Sequence, residues 1–428
     1  MLRVMPARSR LYLLGAALVA TMAAAAAVDG RGDTILFLGI AAAASAIYGL
    51  AAWTVLRVAP AARRGLWLCL ALGLACRLPL LVVEPTISDD LYRYIWDGRI
   101  QRFGHNPYTS TPGDAALQPL HTPVTRKTAH QDLLGIYPPA AQWFFRGVAT
   151  LGESVPAFKL ALLACDLLIV WLLLKWLAVA GHSAWRVLLY AWNPLVIIEV
   201  SGSGHIDALA ALLLASAFLA LSSRRTLLAS LAFVAAVEVK FLPIVLAPLF
   251  WRRVRPRDVA FACLFGIALA APFLVSPAGL TLGALPTYLE KWRFNGPVFA
   301  AIERVSGGGR LLTLLPAILG ASVAGVMRER ASSPESWAWP IAAALLAMPC
   351  VYPWYLLSFV PFLGAPSTIP LMVWTQTSLL TYYVWHVIAG GGAWQLPAWV
   401  LGVEFGGMIA AAWLTARRSH RRDACATE

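Results

Sequence analysis

Apolar runs on the scale of a bilayer crossing recur along the whole chain and constrain its fold more than any other feature. A crossing helix needs about 20 predominantly apolar residues. Runs of this kind lie at 11–28, 34–57, 66–83, 158–179, 258–275, 310–327, 337–350, 368–389 and 397–416. They are continuous, not alternating, so they read as helices and not as the strands of a barrel. Of the 428 residues, 13% are charged, about half the share expected of a soluble domain. The class is an all-α polytopic membrane protein, read as one integral membrane domain over 1–428.

Two further pairs of apolar pieces are shorter, 187–199 with 207–222 and 226–238 with 241–251. Each reads as an in-and-out hairpin. Short broken helices are tolerated where protein or a wet cavity surrounds them, so the pairs predict a cavity. The total comes to 11–14 membrane helices.

The formal net charge is +13. Arginines cluster in short loops: Arg63-Arg64, Arg224-Arg225, Arg252-Arg253 with Arg255 and Arg257, and Arg417-Arg418 with Arg421-Arg422. This is the positive-inside pattern, and no basic stretch forms a nucleic-acid module. It predicts a cytoplasmic tail at 417–428. The first apolar run resembles a signal peptide but reads as a retained helix. The six cysteines are scattered, mostly in apolar runs, with no zinc spacing.

The same topology puts residues 84–156, the longest hydrophilic stretch, on the extracytoplasmic side as a folded loop with short helices. It opens with SDDLYRYIWDGRIQRFGHNPY, Ser88 to Tyr108. If 89–102 is helical, Asp90, Tyr94 and Asp97 share a face, with Arg93 at its edge. Leu91, Ile95 and Trp96 then form an apolar side that can rest on the membrane interface. An interfacial belt explains the aromatics and arginines. It explains the adjacent Asp89 and Asp90 poorly, because neighbouring acids repel each other and anionic headgroups.

Other polar groups fall near the same face: Tyr137 before two prolines, Glu199, His205 and Asp207 in one hairpin turn, Glu238 and Lys240 in the next, then Trp292, Arg293 and Asn295. Ionisable groups at membrane depth are costly and mark function by default. Lys240 reads either as functional or as the ion-pair partner of Glu238. His205 and Asp207 read equally as a helix cap. Asp114, His121 and His130 read as solvated loop residues. Acids, cations and aromatics around one cavity suit transfer of a sugar from a lipid phosphate. A carboxylate accepts the proton of the attacking hydroxyl, and cations stabilise the departing phosphate. No metal cluster stands out and no cofactor is expected.

The order ISDDLYRYIWDGRIQRFGHNPY, IYPPAAQ, SGHIDALA, VKFLP, WRFNG and YPWY resembles bacterial polyprenol-phosphate-mannose-dependent mannosyltransferases. These are glycosyltransferase family 87 and its relatives in the GT-C superfamily, and the resemblance covers about 85 to 360. It implies a GT-C bundle in the bacterial inner membrane with its active site facing outward. It also implies transfer of a hexose, mannose first, from a polyprenyl-phosphate donor to a glycan or lipid acceptor with inversion. By the resemblance Asp90 is the general base, with Asp89 the alternative. By the resemblance Tyr94, Asp97, Asn106 and Tyr108 match the rest of the motif and shape the sugar or acceptor site, and Arg93, Tyr137, His205, Asp207, Asn295 and Tyr355 are further candidate substrate-binding residues. Charge places Lys240 and Arg293 toward the phosphate. His205 and Asp207 stand in a His-Ile-Asp turn that departs from the His-Asn-Asp form associated with the group. A transporter or flippase of a polyprenyl-linked sugar uses similar contacts and is the alternative.

Overall fold

The computed structural model describes residues 6–58, 64–276, 279–280 and 282–426. It is a helical bundle, with one minimal pairing of Val275–Ser276 with Gly279–Leu280. Arg63 lies outside the described residues. Among the described residues six helices are long and apolar enough to cross a membrane: Ala7–Ala26, Thr34–Arg57, Val155–Val179, Pro256–Leu274, Leu311–Arg330 and Ala398–Arg417. Shorter apolar helices stand at Leu66–Leu81, Pro194–Ser203, Asp207–Ser222 and Thr226–Val237. Their outward faces carry exposed Trp67, Val179, Ile267 and Val326, as a lipid solvent allows.

The first helix packs on both Thr34–Val58 and Leu66–Leu81, and Asp207–Ser222 packs on Thr226–Val237 and on Val155–Val179. One buried ion pair fastens this bundle. Arg77 Nε lies 2.5 Å from Asp166 Oδ2, and the Arg77 Nη1 donates to the carbonyls of Gly73 and Ala191.

The expected 368–389 span is broken into an α-helix Ile369–Thr377, a tighter Ser378–Tyr383 and a final Val384–Ala389. The 241–251 piece is wound as a 3₁₀-helix, Leu242–Phe250. Pro248 inside it withholds a donor that an α-helix needs. The Ile197–Ser203 stretch is wound wider, as a π-helix. Such turns recur at functional sites because they displace side chains from the regular helical spiral.

The hydrophilic stretch folds as expected into short helices, chiefly Asp90–Arg102 and Pro139–Leu151. Its placement differs from the interfacial reading. Leu91, Tyr94, Ile95, Trp96, Asp97 and Ile100 are all fully buried. Leu91 meets Gly204, Tyr94 stacks on Phe145, and Trp96 stacks on His121 with ring centroids 4.0 Å apart. The helix is therefore enclosed by protein on both sides. Gly98 makes this possible: a Cβ there would stand 2.3 Å from the Phe145 carbonyl oxygen.

Candidate active site

Proline starts the Pro139–Leu151 helix, in the first-turn position where its missing N–H costs nothing. The free N–H groups of Ala140 and Ala141 donate instead to the Glu238 carbonyl, at 2.9 and 3.3 Å. That pair of bonds brings the Tyr137-Pro-Pro segment against the turn bearing Lys240. Asn106 and Tyr108 brace it from behind. Asn106 donates to the Phe273 carbonyl and accepts from the Tyr108 N–H, while the Tyr108 hydroxyl donates to the Tyr137 carbonyl at 2.6 Å.

These elements enclose a cavity of about 740 Å³. Of the residues singled out in the sequence, Asp89, Asp90, Arg93, Tyr137, Asp207, Lys240, Arg293 and Tyr355 line it. Its wall is otherwise mostly aromatic and aliphatic, including Tyr288, Trp292, Trp354, Trp385, Phe241, Leu242 and Leu285.

Three carboxylates open onto the cavity, and two are matched to cations. Asp89 Oδ1 lies 2.7 Å from Arg31, and Asp207 Oδ1 lies 3.2 Å from Lys240. Asp90 has no lysine or arginine partner among the described residues. It accepts a hydrogen bond from the Tyr137 hydroxyl at 3.0 Å and stands 4.0 Å from His205 Nε2. Burial, then the charge of Asp90, pushes the Tyr137 phenol well above its ordinary range. The phenol therefore stays protonated and remains a donor to Asp90.

Lys240 pairs with Asp207 and not with Glu238, and its ammonium sits 4.4 Å from the Tyr355 ring centre. Arg293 reaches Glu303 at 3.0 Å on the cavity's rim. His130, expected to be a solvated loop residue, lines the cavity, while His121 is a packing partner of Trp96.

Tyr94, Asp97, Asn106, Tyr108, His205 and Asn295 are not among the lining residues. Asp97 is buried in the wall, 2.7 Å from the Arg93 Nε and accepting from Gln142 at 3.0 Å. Burial drives its carboxyl upward, opposed by Arg93 and Gln142, and the net direction is up. Asn295 donates to Glu404 at 3.2 Å, away from the cavity. These residues build the wall that holds the lining ones.

Sequence reasoning missed Arg31, Ser88, Tyr382 and Trp385, all of which line the cavity. Arg31 lies 4.1 Å from the Trp385 ring centre as well as on Asp89. Its short charged loop directly after the first span was the available signal. Tyr382 and Trp385 sit in an apolar run, where an aromatic carries no mark of facing a cavity. Among the described residues no group of three His, Cys, Asp or Glu side chains is placed to hold a metal ion.

Against known proteins, residues 8–254 match the MptA_B family, described as alpha-(1->6)-mannopyranosyltransferase, N-terminal domain. A stretch of 141 residues is 33% identical to an alpha-(1->6)-mannopyranosyltransferase of Mycobacterium tuberculosis. That stretch covers 31% of this chain and 23% of the relative. No solved structure matches.

Proposed function

The chain belongs to the MptA_B family of alpha-(1->6)-mannopyranosyltransferases, and from that premise we propose that it transfers mannose from a polyprenyl-phosphate donor to a glycan or lipid acceptor. The observation that carries the reading is Asp90: a cavity-lining carboxylate left without a cation while Asp89 and Asp207 are each paired. An unpaired carboxylate keeps the lone pair that a general base needs.

In the step proposed, the acceptor hydroxyl oxygen attacks the anomeric carbon. Its proton passes to Asp90 as the carbon–phosphate oxygen bond breaks, and the bonding electrons leave on the phosphate. One displacement from the opposite face inverts the anomeric centre. The phosphate needs no acid to leave, unlike the leaving groups that require a second carboxyl in glycosidases. Lys240, Arg93 and Arg293 supply positive charge around the cavity for it. Phe241, Leu242, Leu285 and Leu289 offer an apolar path for the prenyl chain. The family is one of transferases, which speaks against the transporter alternative.

The side of the membrane follows from charge. Arg224-Arg225 and Arg252-Arg253 follow the helices whose opposite ends approach the cavity. With basic loops inside, the cavity opens on the extracytoplasmic face of the inner membrane.

The test is transfer by the purified protein in nanodiscs, with a panel of polyprenyl-phosphate sugars and mannan or lipid acceptors. We expect mannose to be transferred with inversion, and Asp90→Asn to cut kcat by about 10²–10⁴-fold, the contribution of a general base. Undiminished transfer by Asp90→Asn removes the base assignment. Transfer of another sugar in preference to mannose removes the donor.

A further inference from the structure

From the cavity wall beside Asp90 a buried row of side chains, Ser88, His205 and Glu199, runs inward, and the transfer step does not use it. Glu199 and His205 are fully buried and Ser88 nearly so. His205 Nδ1 stands 2.9 Å from Glu199 Oε2, though off the line of a straight hydrogen bond. A bare Nδ1 lone pair facing a carboxylate oxygen at that distance would be repelled, so the ring proton belongs on Nδ1. Nε2 is then an acceptor. In that tautomer the Ser88 hydroxyl, 3.0 Å away, donates to it. Ser88 Oγ in turn accepts the backbone N–H of Asp90 at 3.4 Å.

The rest of the row is held as firmly. The Tyr382 hydroxyl donates to Glu199 Oε1 at 2.7 Å. The imidazole stacks on Trp354 with centroids 4.0 Å apart, Trp354 on Tyr352 at 4.5 Å, and Tyr352 on Phe294 at 4.8 Å. One four-ring ladder thus ties the SGHID, YPWY and WRFNG segments to the histidine. Glu199 is fully buried, and an ionisable group at membrane depth is costly and marks function by default.

We propose that His205 is the positioning residue of Asp90, acting through the tautomer that Glu199 imposes. This rests on the reading of Asp90 as the base. In the Nδ1–H tautomer the ring fixes the Ser88 hydroxyl, and with it the Asp90 N–H at the start of the Asp90–Arg102 helix. Because Nε2 then carries no proton, the ring adds no second donor to Asp90 Oδ2, 4.0 Å away. Oδ2, which already accepts from the Tyr137 hydroxyl at 3.0 Å, thereby keeps its remaining lone pair for the acceptor's proton. In the opposite tautomer an Nε2–H would face Oδ2 and engage the electrons the reaction needs.

The test measures kcat and KM in nanodiscs for His205→Ala, Glu199→Gln, Ser88→Ala and His205→Ala/Glu199→Gln beside Asp90→Asn. Glu199→Gln keeps the side chain's shape but offers an amide N–H to Nδ1, moving the ring proton to Nε2. We expect His205→Ala and Glu199→Gln each to lose about 10- to 100-fold in kcat, less than a general base contributes, with KM within about twofold. The double variant should be no worse than the worse single one, because the two act through one row. Free imidazole should restore part of the His205→Ala activity. If His205→Ala does not fold, Glu199→Gln and Ser88→Ala decide.

A wild-type kcat in Glu199→Gln together with a dead Asp90→Asn overturns this inference and leaves the base standing. Additive losses with raised KM overturn it in favour of a packing role. An active Asp90→Asn overturns the base itself.

Discussion

Gly98→Ala tests whether the close contact of two helices sets the catalytic geometry. The new Cβ would meet the Phe145 carbonyl oxygen at 2.3 Å and the Ala149 Cβ at 2.9 Å. Real Cβ contacts begin near 3.0 Å, so the Asp90–Arg102 and Pro139–Leu151 helices must part by roughly 0.7 Å, the difference between 3.0 and 2.3. The obstacle is backbone, which cannot swing aside as a side chain can. Overpacking of this kind costs about 1–3 kcal/mol. The same displacement separates Asp90, on the first helix, from Tyr137, just before the second. Their 3.0 Å hydrogen bond has no slack for it. A misplacement near 1 Å can cost about 10²-fold in rate, so kcat should fall by more than the stability loss implies. Thermal unfolding in detergent reads the first effect and transfer kinetics on the folded fraction the second. A Gly98→Ala protein with both wild-type melting and wild-type kcat would refute the reasoning.

Two further outcomes follow from the ion pairs. Asp89→Asn removes a pair with Arg31 in which both side chains are about one-third exposed. Such a pair is worth no more than about 1 kcal/mol, so kcat should stay within about fivefold. A fall matching that of Asp90→Asn would transfer the base to Asp89. Arg77→Met strands the buried Asp166 carboxylate and should destabilise the protein by about 3–5 kcal/mol. Adding Asp166→Asn should recover most of that in thermal unfolding, and no recovery would deny the pair its role.

The spans were legible because continuous apolar length is a local property. The 34–57, 158–179 and 258–275 runs appear as Thr34–Val58, Val155–Val179 and Pro256–Leu274. The helix at Asp90–Arg102 was legible from another local property, the helical spacing of Asp90, Tyr94 and Asp97 on one face, but its surroundings were not. Its apolar side fits a membrane surface and a protein pocket equally well. The partners that decide, Phe145, His121 and Gly204, come from distant segments. Lys240 shows the same limit. Glu238 is two residues away, yet the ammonium turns to Asp207 across the hairpin. Glu199 and His205, six apart, would not meet on a regular helix. The widened turn at Ile197–Ser203 and the left-handed Gly204 fold the chain back so that they do. That turn carries no signature in residue type beyond its glycines.

The order of the motifs along the chain has a topological cause. Successive membrane helices alternate in direction, so every second connection returns to the same end of the bundle. The connections bearing Arg31, Asp90, His205, Lys240 and Arg293 are all of one parity, each bringing polar groups to or just behind the cavity. Connections of the other parity carry arginines, as at Arg224-Arg225 and Arg252-Arg253. At that end Arg253 donates to the Arg328 carbonyl and approaches Glu329. One end is therefore free to collect costly buried acids, because the charge that fixes orientation is borne by the other. An arginine moved from the 224–225 turn into the 238–240 turn would act on both. It would weaken the topogenic bias and crowd the Lys240–Asp207 pair with a like charge.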